Sequence, residues 1–284
     1  MKMVASMDAV KPVPTGHVKL EHDGALAYVT LSHPGKFNAM SRTMWRELRA
    51  VFEGLHTDPQ VRCVLVRGEG GHFCAGGDIA EYPAFRFTPE GLRAFHEDDV
   101  WGGLQAMLDC DVPIVAHIEG NCMGAGVEIA SCCDLRLASA SARFGAPIAR
   151  LGFPMAPREA ALVAQAVGNT VARAMLLAAE IFDAPALLGC GFLTQVLADD
   201  AQTAAQALAT AQRIAALAPQ AARLNKQTFR ALNRPQATVE PARTAIETIA
   251  KTAPDAGSDP YAYADSAEHR EGIAAFLDKR KPQF

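Results

Sequence analysis

The 284-residue sequence predicts an α/β fold with ligand-binding loops at strand ends, followed by a helical C-terminal region. Three observations carry that expectation. Short runs rich in β-branched residues alternate with segments of helical period up to about residue 199. Two glycine-rich turns, CAGGD at 74–78 and MGAGVE at 123–128, each follow a short apolar strand. Beyond about residue 200 only helical periodicity remains.

The elements follow in order. HVKLEHDG and ALAYVTLSH (17–33) alternate around an Asp-Gly pair and read as a hairpin. Ser41 opens SRTMWRELRAVFEGLHTD, a helix with Met44, Leu48, Val51, Phe52 and Leu55 on one face. VRCVLVRG (61–68) is a strand leading into the first glycine loop. A helix from about Pro89 to Leu108 precedes the strand VPIVAHI (112–118). The second glycine turn, GNCMGAG, runs directly into the helix VEIASCC, and DLRLAS (134–139) is the next strand. DAQTAAQALATAQRIAALAP, QAARLNKQTFRAL and AEHREGIAAFLDKRK are helical in period, and TAPDAGSDPYA (252–262) reads as a linker. The chain thus divides into a mobile tail (1–16), a core carrying the glycine loops (17–199) and a helical region (200–284) suited to assembly or to a lid.

Composition narrows the function. Half the residues are apolar, and 27 basic against 31 acidic residues leave a net charge of −4. Such a balance gives no field for nucleic acid or an anionic membrane. No apolar run reaches bilayer length, and MKMVASMDAVKPVPTG lacks the apolar segment of a secretory signal. The seven cysteines (63, 74, 110, 122, 132, 133, 190) form no C-x-x-C pair and read as reduced core thiols of a cytoplasmic protein. No H-E-x-x-H or similar spacing suggests a metal.

A glycine turn that exposes backbone N–H groups is weak evidence alone. Two such turns can aim a pair of donors at one oxygen, which is how an oxyanion hole is made from backbone. At these residues the sequence resembles the crotonase (enoyl-CoA hydratase/isomerase) superfamily. LSHPGKFNAMS, HFCAGGDI, IEGNCMGAGVEIASCCDLRLAS, ARFGAP and EHREGIAAFLDKRKPQF carry the likeness in order, from residue 17 to 284. The resemblance implies a crotonase-like spiral of ββα units, a C-terminal region that builds homotrimers or hexamers, and an acyl-coenzyme A substrate with no separate cofactor. It also implies that the N–H groups of Ala75 and Ala125 hold the thioester oxygen, and that Glu128 transfers the proton. The Ala125 methyl leaves its N–H intact but narrows the approach. Each fixed donor can contribute roughly 3 kcal/mol as enolate-like charge develops on that oxygen. Substrate is expected along Lys36, Ala39, Gly76, Gly77, Asp78, Ile79, Gly124 and Ile148, with Phe276 and Lys279 near the nucleotide end. There a lysine suits phosphate and an aromatic ring suits adenine.

Glu128 is plausible on its own terms, because apolar neighbours one turn into a helix would raise its pKa and suit it to proton transfer. The bland alternative pairs it with Arg136, Arg143 or Arg150. Phe276 could equally be core, and Asp78 more simply braces its own loop. The resemblance departs at one point: the position of the second hydratase glutamate is Ile148, and FPMAPREA (153–160) replaces a turn of small residues. His117, Glu119 and Glu159 are the nearest substitutes. Simpler roles are strand packing for His117, turn support for Glu119, and a solvated Arg158–Glu159 pair at a helix start. EYPAFRFTPEGLRAFHEDDVW (81–101) is expected to shape the acyl pocket.

Hydratase chemistry is therefore the main expectation. The alternatives are an isomerase or decarboxylase working with one acid, and a weakly active acyl-CoA-binding homologue. Other classes fail on motif. GAGVEIA lacks the third small residue and the distant acid of a dinucleotide fingerprint, and neither G-x-S-x-G nor a glycine loop ending in G-K-[ST] occurs.

Overall fold

The computed structural model describes residues 15–233 and 262–283. The tail at 1–16 and the linker at 252–262 fall almost wholly outside these residues. The hairpin forms as β1 (His17–Asp23) and β2 (Leu26–Ser32), in antiparallel register. β3 (Cys63–Gly68), β4 (Ile114–Ile118), β6 (Leu135–Ser139) and β9 (Gln195–Leu197) extend the sheet in parallel, in the order β1-β2-β3-β4-β6-β9. A second sheet orders β5 (Asn121–Met123), β7 (Arg143–Gly145) and β8 (Ile181–Asp183). From β4 the chain crosses to β5 and enters α4 (Ala125–Ser131). From β6 it crosses to β7 and then reaches α5 (Pro157–Val167). These repeated ββα steps wind the spiral. The three-residue strands β8 and β9 are too short to leave an alternating pattern, so the sequence gives no sign of them.

Helix α1 (Arg42–Thr57) starts where the sequence predicts, the Ser41 side chain accepting from Met44 N–H at 3.2 Å. Its buried residues are Met44, Trp45, Leu48, Phe52 and Leu55. Trp45 thus joins the core face and Val51 lies at its margin. The expected helix from Pro89 is continuous but not uniform: α2 (Pro89–Ala94) and α3 (Trp101–Asp109) flank a π-helical run, Phe95–Val100. The wider turn buries both His96 and Asp99. Asp99 receives Arg42 Nε at 2.6 Å and Arg46 Nε at 2.7 Å, which ties the run to α1.

The sheet is buried on two faces, as its continuous apolar runs require. On one face Val29, Val64, Ile114 and Ala116 meet α1, α3 and α4. On the other, Leu26, Leu65, Val115 and Leu137 pack against Ala207 and Ala211 of α8 (Asp200–Ala215). The first helix of the C-terminal region therefore completes the core rather than standing apart. α9 (Pro219–Asn233) sends Arg223, Lys226 and Arg230 back to backbone carbonyls of the core, while Leu224, Phe229 and Leu232 remain exposed. α10 (Ala267–Leu277) is capped by Ser266 and packs beside Gly152. α6 (Asn169–Leu177) and α7 (Ala184–Gly189) lie between α5 and β9. All seven cysteines are free, and six are buried; Cys190 is exposed, a correction to its expected place in the core. No helix among the described residues is long and apolar enough to cross a membrane.

Candidate active site

Backbone pairing brings the two glycine loops together. Cys74 N–H donates to Asn121 C=O at 2.9 Å, and Cys74 C=O accepts from Met123 N–H at 2.8 Å. On the other side of the first loop lies the turn 33–40, fixed by Asn38. Its side chain accepts from His33 N–H at 3.0 Å and donates to Glu69 C=O at 2.8 Å and to His72 C=O at 2.7 Å.

That turn corrects one expectation. Ala75 N–H already donates to Phe37 C=O at 3.0 Å, so it is not available to a ligand. Two residues on, Met40 N–H donates to Gly76 C=O and Asp78 N–H to Met40 C=O, both at 2.8 Å. Met40 thus brackets Gly77, whose own N–H points to the opposite side, where residues 121–125 lie. Gly76, at φ +117°, supplies the twist that only glycine tolerates. Gly77 N–H has no acceptor among the described residues, and neither does Ala125 N–H at the start of α4, where Gly124 offers no capping side chain. The N–H groups of Gly76, and of Gly126 and Val127 in the first turn of α4, likewise have no backbone acceptor among the described residues.

One cavity of about 830 Å³ collects the residues the sequence singles out: Lys36, Ala39, Ala75, Gly76, Gly77, Asp78, Ile79, Gly124, Ala125, Glu128, Ile148, Phe276 and Lys279 all line it. Asp78 accepts from Lys36 Nζ at 2.6 Å and from Ala80 N–H at 3.3 Å, so it braces its loop and orients the lysine. Phe276 is half exposed at the cavity rather than in the core. His117 and Glu119 pair with each other at 2.5 Å away from the cavity.

Glu128 is 6% exposed. The arginines that could have neutralised it turn elsewhere: Arg136 donates to carbonyls of Phe192 and Cys133, Arg143 to Ser141 and Ala142, and Arg150 to Ala179. Burial first, then the charge of Glu159, push its carboxyl well above the ordinary range, with Arg86 opposing.

Glu159 overturns a second expectation. It is 3% exposed, lines the same cavity, and leaves its neighbour Arg158 to pair with Glu97 at 3.1 Å. Its Oε1 lies 2.7 Å from His96 Nδ1, and His96 Nε2 lies 3.3 Å from Arg86 Nη1. Arg86 has no exposed surface; its guanidinium is held between Phe153 and Tyr82, 4.2 and 4.3 Å from the ring centres. Its Nε approaches His269 Nε2 at 3.4 Å, while Nη2 is buried without a partner. Burial raises the Glu159 carboxyl to about 8, partly offset by Arg86.

Sequence pattern alone does not single out Arg86, His96 or Glu159 as a unit. A usable signal was present for the last. Glu159 stands three and four residues before Leu162 and Val163, on the face of α5 that is buried. Among the described residues no group of three or more His, Cys, Asp or Glu could hold a metal ion.

The raised carboxyls make stability depend on pH. The unfolded chain releases the Glu159 proton above its ordinary value of 4.5, whereas the folded protein keeps it to about 8. In that window the folded state binds more protons, so stability falls as pH rises and is unaffected by this group below the window. Glu159→Gln should therefore flatten the melting temperature against pH between about 4.5 and 8. Parallel curves for the two proteins would count against a buried, proton-holding Glu159.

Residues 21–284 match the family model described as enoyl-CoA hydratase/isomerase. A probable enoyl-CoA hydratase of Mycobacterium leprae is 31% identical over 259 residues, covering 90% of this chain and 93% of that protein. Another, from Mycobacterium tuberculosis strain H37Rv, is 35% identical over 192 residues, 68% of this chain and 73% of its own length. Among solved structures, an enoyl-CoA hydratase/carnithine racemase from Magnetospirillum magneticum shares 35% identity at a TM-score of 0.74, with 94% of each chain covered.

Proposed function

The chain belongs to the enoyl-CoA hydratase/isomerase family, and from that premise we infer that it is a hydratase-type enzyme acting on acyl-CoA thioesters. The observation that carries the reading is the meeting, in one cavity, of two unengaged amides and a buried acid whose charged form burial disfavours. Gly77 N–H and Ala125 N–H hold the thioester oxygen. Addition at the β-carbon pushes electrons towards that oxygen, and the fixed donors stabilise the charge where it develops. Glu128, one turn beyond Ala125 on α4, then delivers its proton to the α-carbon. In this reading Gly77 takes the part that the resemblance gives to Ala75.

The coenzyme A portion runs towards Lys36, Phe276 and Lys279. Lys279 forms no ion pair among the described residues, which suits it to a phosphate, and the exposed ring of Phe276 suits adenine. The exposed Leu224, Phe229 and Leu232 of α9 fit the homotrimer or hexamer that the resemblance implies for this cytosolic enzyme.

The apolar Ile148 on the cavity wall favours a second reading, an isomerase that moves a double bond without water. Incubating enoyl thioesters of short, long, branched and aromatic chains in oxygen-18 water separates the two. The hydratase reading predicts a labelled 3-hydroxyacyl product by mass; a shifted double bond with no label would establish isomerisation. Binding of every thioester without turnover would contradict both.

A further inference from the structure

The hydrogen-bond chemistry of Arg86 fixes the proton positions around it. A guanidinium only donates, so the Nε2 atoms of His96 and His269 must both accept. Each imidazole then carries its proton on Nδ1. His269 Nδ1–H donates to Ala264 C=O at 2.9 Å, and His96 Nδ1–H to Glu159 Oε1 at 2.7 Å. Glu159 Oε1 consequently accepts from His96, which favours the ionised form that burial otherwise delays to about pH 8, and a buried cation one imidazole away balances that charge once the proton leaves. Glu128 has no such partner, and burial together with Glu159 favours its protonated form.

We propose that Glu159, held by the His96–Arg86 relay, is the second proton-transfer group of this site, supplying from α5 what Ile148 cannot supply from its own position. The proposal rests on the hydratase reading above. Glu159 takes a proton from water as the water oxygen bonds to the β-carbon of the enoyl thioester. The double-bond electrons pass through the enolate held by Gly77 and Ala125. They return to form the bond between the α-carbon and the Glu128 proton. One molecule of water is added, Glu159 ends protonated and Glu128 ionised, and a proton returned from Glu159 to Glu128, directly or by solvent, resets the pair.

The placement agrees with this division. Glu128 sits three residues from the amide that holds the carbonyl, hence near the α-carbon, whereas Glu159 enters the same cavity from a different helix. The groups facing Glu159 are Glu128 of α4, His96 and Glu97 of the π-helical run, and Arg86; His269 of α10 touches it only through Arg86. A purely structural triad, fastening α10 to the π-helical run, would satisfy the same hydrogen bonds. It would not place the carboxylate on the cavity wall beside Glu128.

The full-length protein with two assays separates these possibilities. One assay is hydration of an enoyl thioester. The other is exchange of the α-proton of a saturated thioester in deuterium oxide, which needs the backbone donors and a single base. Glu159→Gln should lower hydration on the order of 10²- to 10⁴-fold, at least about tenfold more than it lowers exchange. Hydration near the wild-type rate would overturn the proposal and leave the Glu128 reading standing. Full retention of both activities in Glu128→Gln would instead overturn that reading.

The relay has its own readout. His96→Phe removes the donor that favours ionised Glu159, so the acidic limb of kcat/KM should move up by about one pH unit. His96→Asn, whose side-chain amide can stand in for Nδ1–H, should move it back. An unmoved limb in a folded His96→Phe protein would overturn the positioning role.

Discussion

Glu128→Gln is expected to lower turnover of enoyl thioesters on the order of 10²- to 10⁴-fold without unfolding the protein. The amide matches the carboxyl in shape and removes a group whose ionised form is disfavoured by burial and by Glu159. Stability should therefore hold or rise, most visibly at alkaline pH, while the proton for the α-carbon is lost. Thioester binding should change little, because the contacts proposed for the coenzyme A portion lie at Lys36, Phe276 and Lys279. Turnover rates, KM and melting temperature measured on one preparation check all three statements. A variant that turns over normally would show that proton transfer lies outside Glu128.

The second large effect is expected at Gly77. A Cβ there would lie 2.1 Å from Tyr82 Oη and 3.1 Å from its Cζ, so Gly77→Ala must displace either the loop or the ring. Gly77 is not at positive φ, so the damage comes from contact and not from backbone strain. Loss of one oxyanion donor costs on the order of 10²- to 10³-fold in kcat. Tyr82→Phe removes the hydroxyl nearest the new methyl, so Gly77→Ala/Tyr82→Phe should recover part of the rate lost by Gly77→Ala. Equal activity of Gly77→Ala and wild type would contradict the expected displacement of the Gly77 amide by the contact with Tyr82.

The sequence foretold the scaffold well because local chemistry fixes it. Ser41 caps α1 through its own hydroxyl, and the Asp23-Gly24 turn closes the hairpin with Gly24 at positive φ. The apolar spacing of α1 marks the face that meets the sheet. What the sequence hid is set by distant register. Which amide of CAGGD stays unengaged depends on where Phe37 and Met40 dock, and that depends on Asn38 reaching Glu69 and His72. The resemblance pointed to Ala75, whose amide is engaged by Phe37 C=O; the donor proposed in its place is Gly77, two residues on.

Glu159 was hidden for a related reason. An acid beside an arginine at a helix start looks solvated, and only packing reveals that Arg158 turns outward to Glu97 while Glu159 turns in. Its partners, Arg86 and His96, come from the segment expected to shape the acyl pocket. That expectation named the wall but not the charge within it. The wider turn at Phe95–Val100, which buries His96, has no signature in helical period.

On the proposed reading, Gly77 N–H and Ala125 N–H together polarise one thioester carbonyl. Infrared difference spectroscopy of a thioester labelled with carbon-13 at that carbonyl, bound to the protein, tests it most directly. The bound carbonyl should stretch at lower frequency than in water and move back towards the aqueous value in Gly77→Ala. A bound carbonyl that vibrates as it does in water, and is unchanged by the substitution, would contradict it.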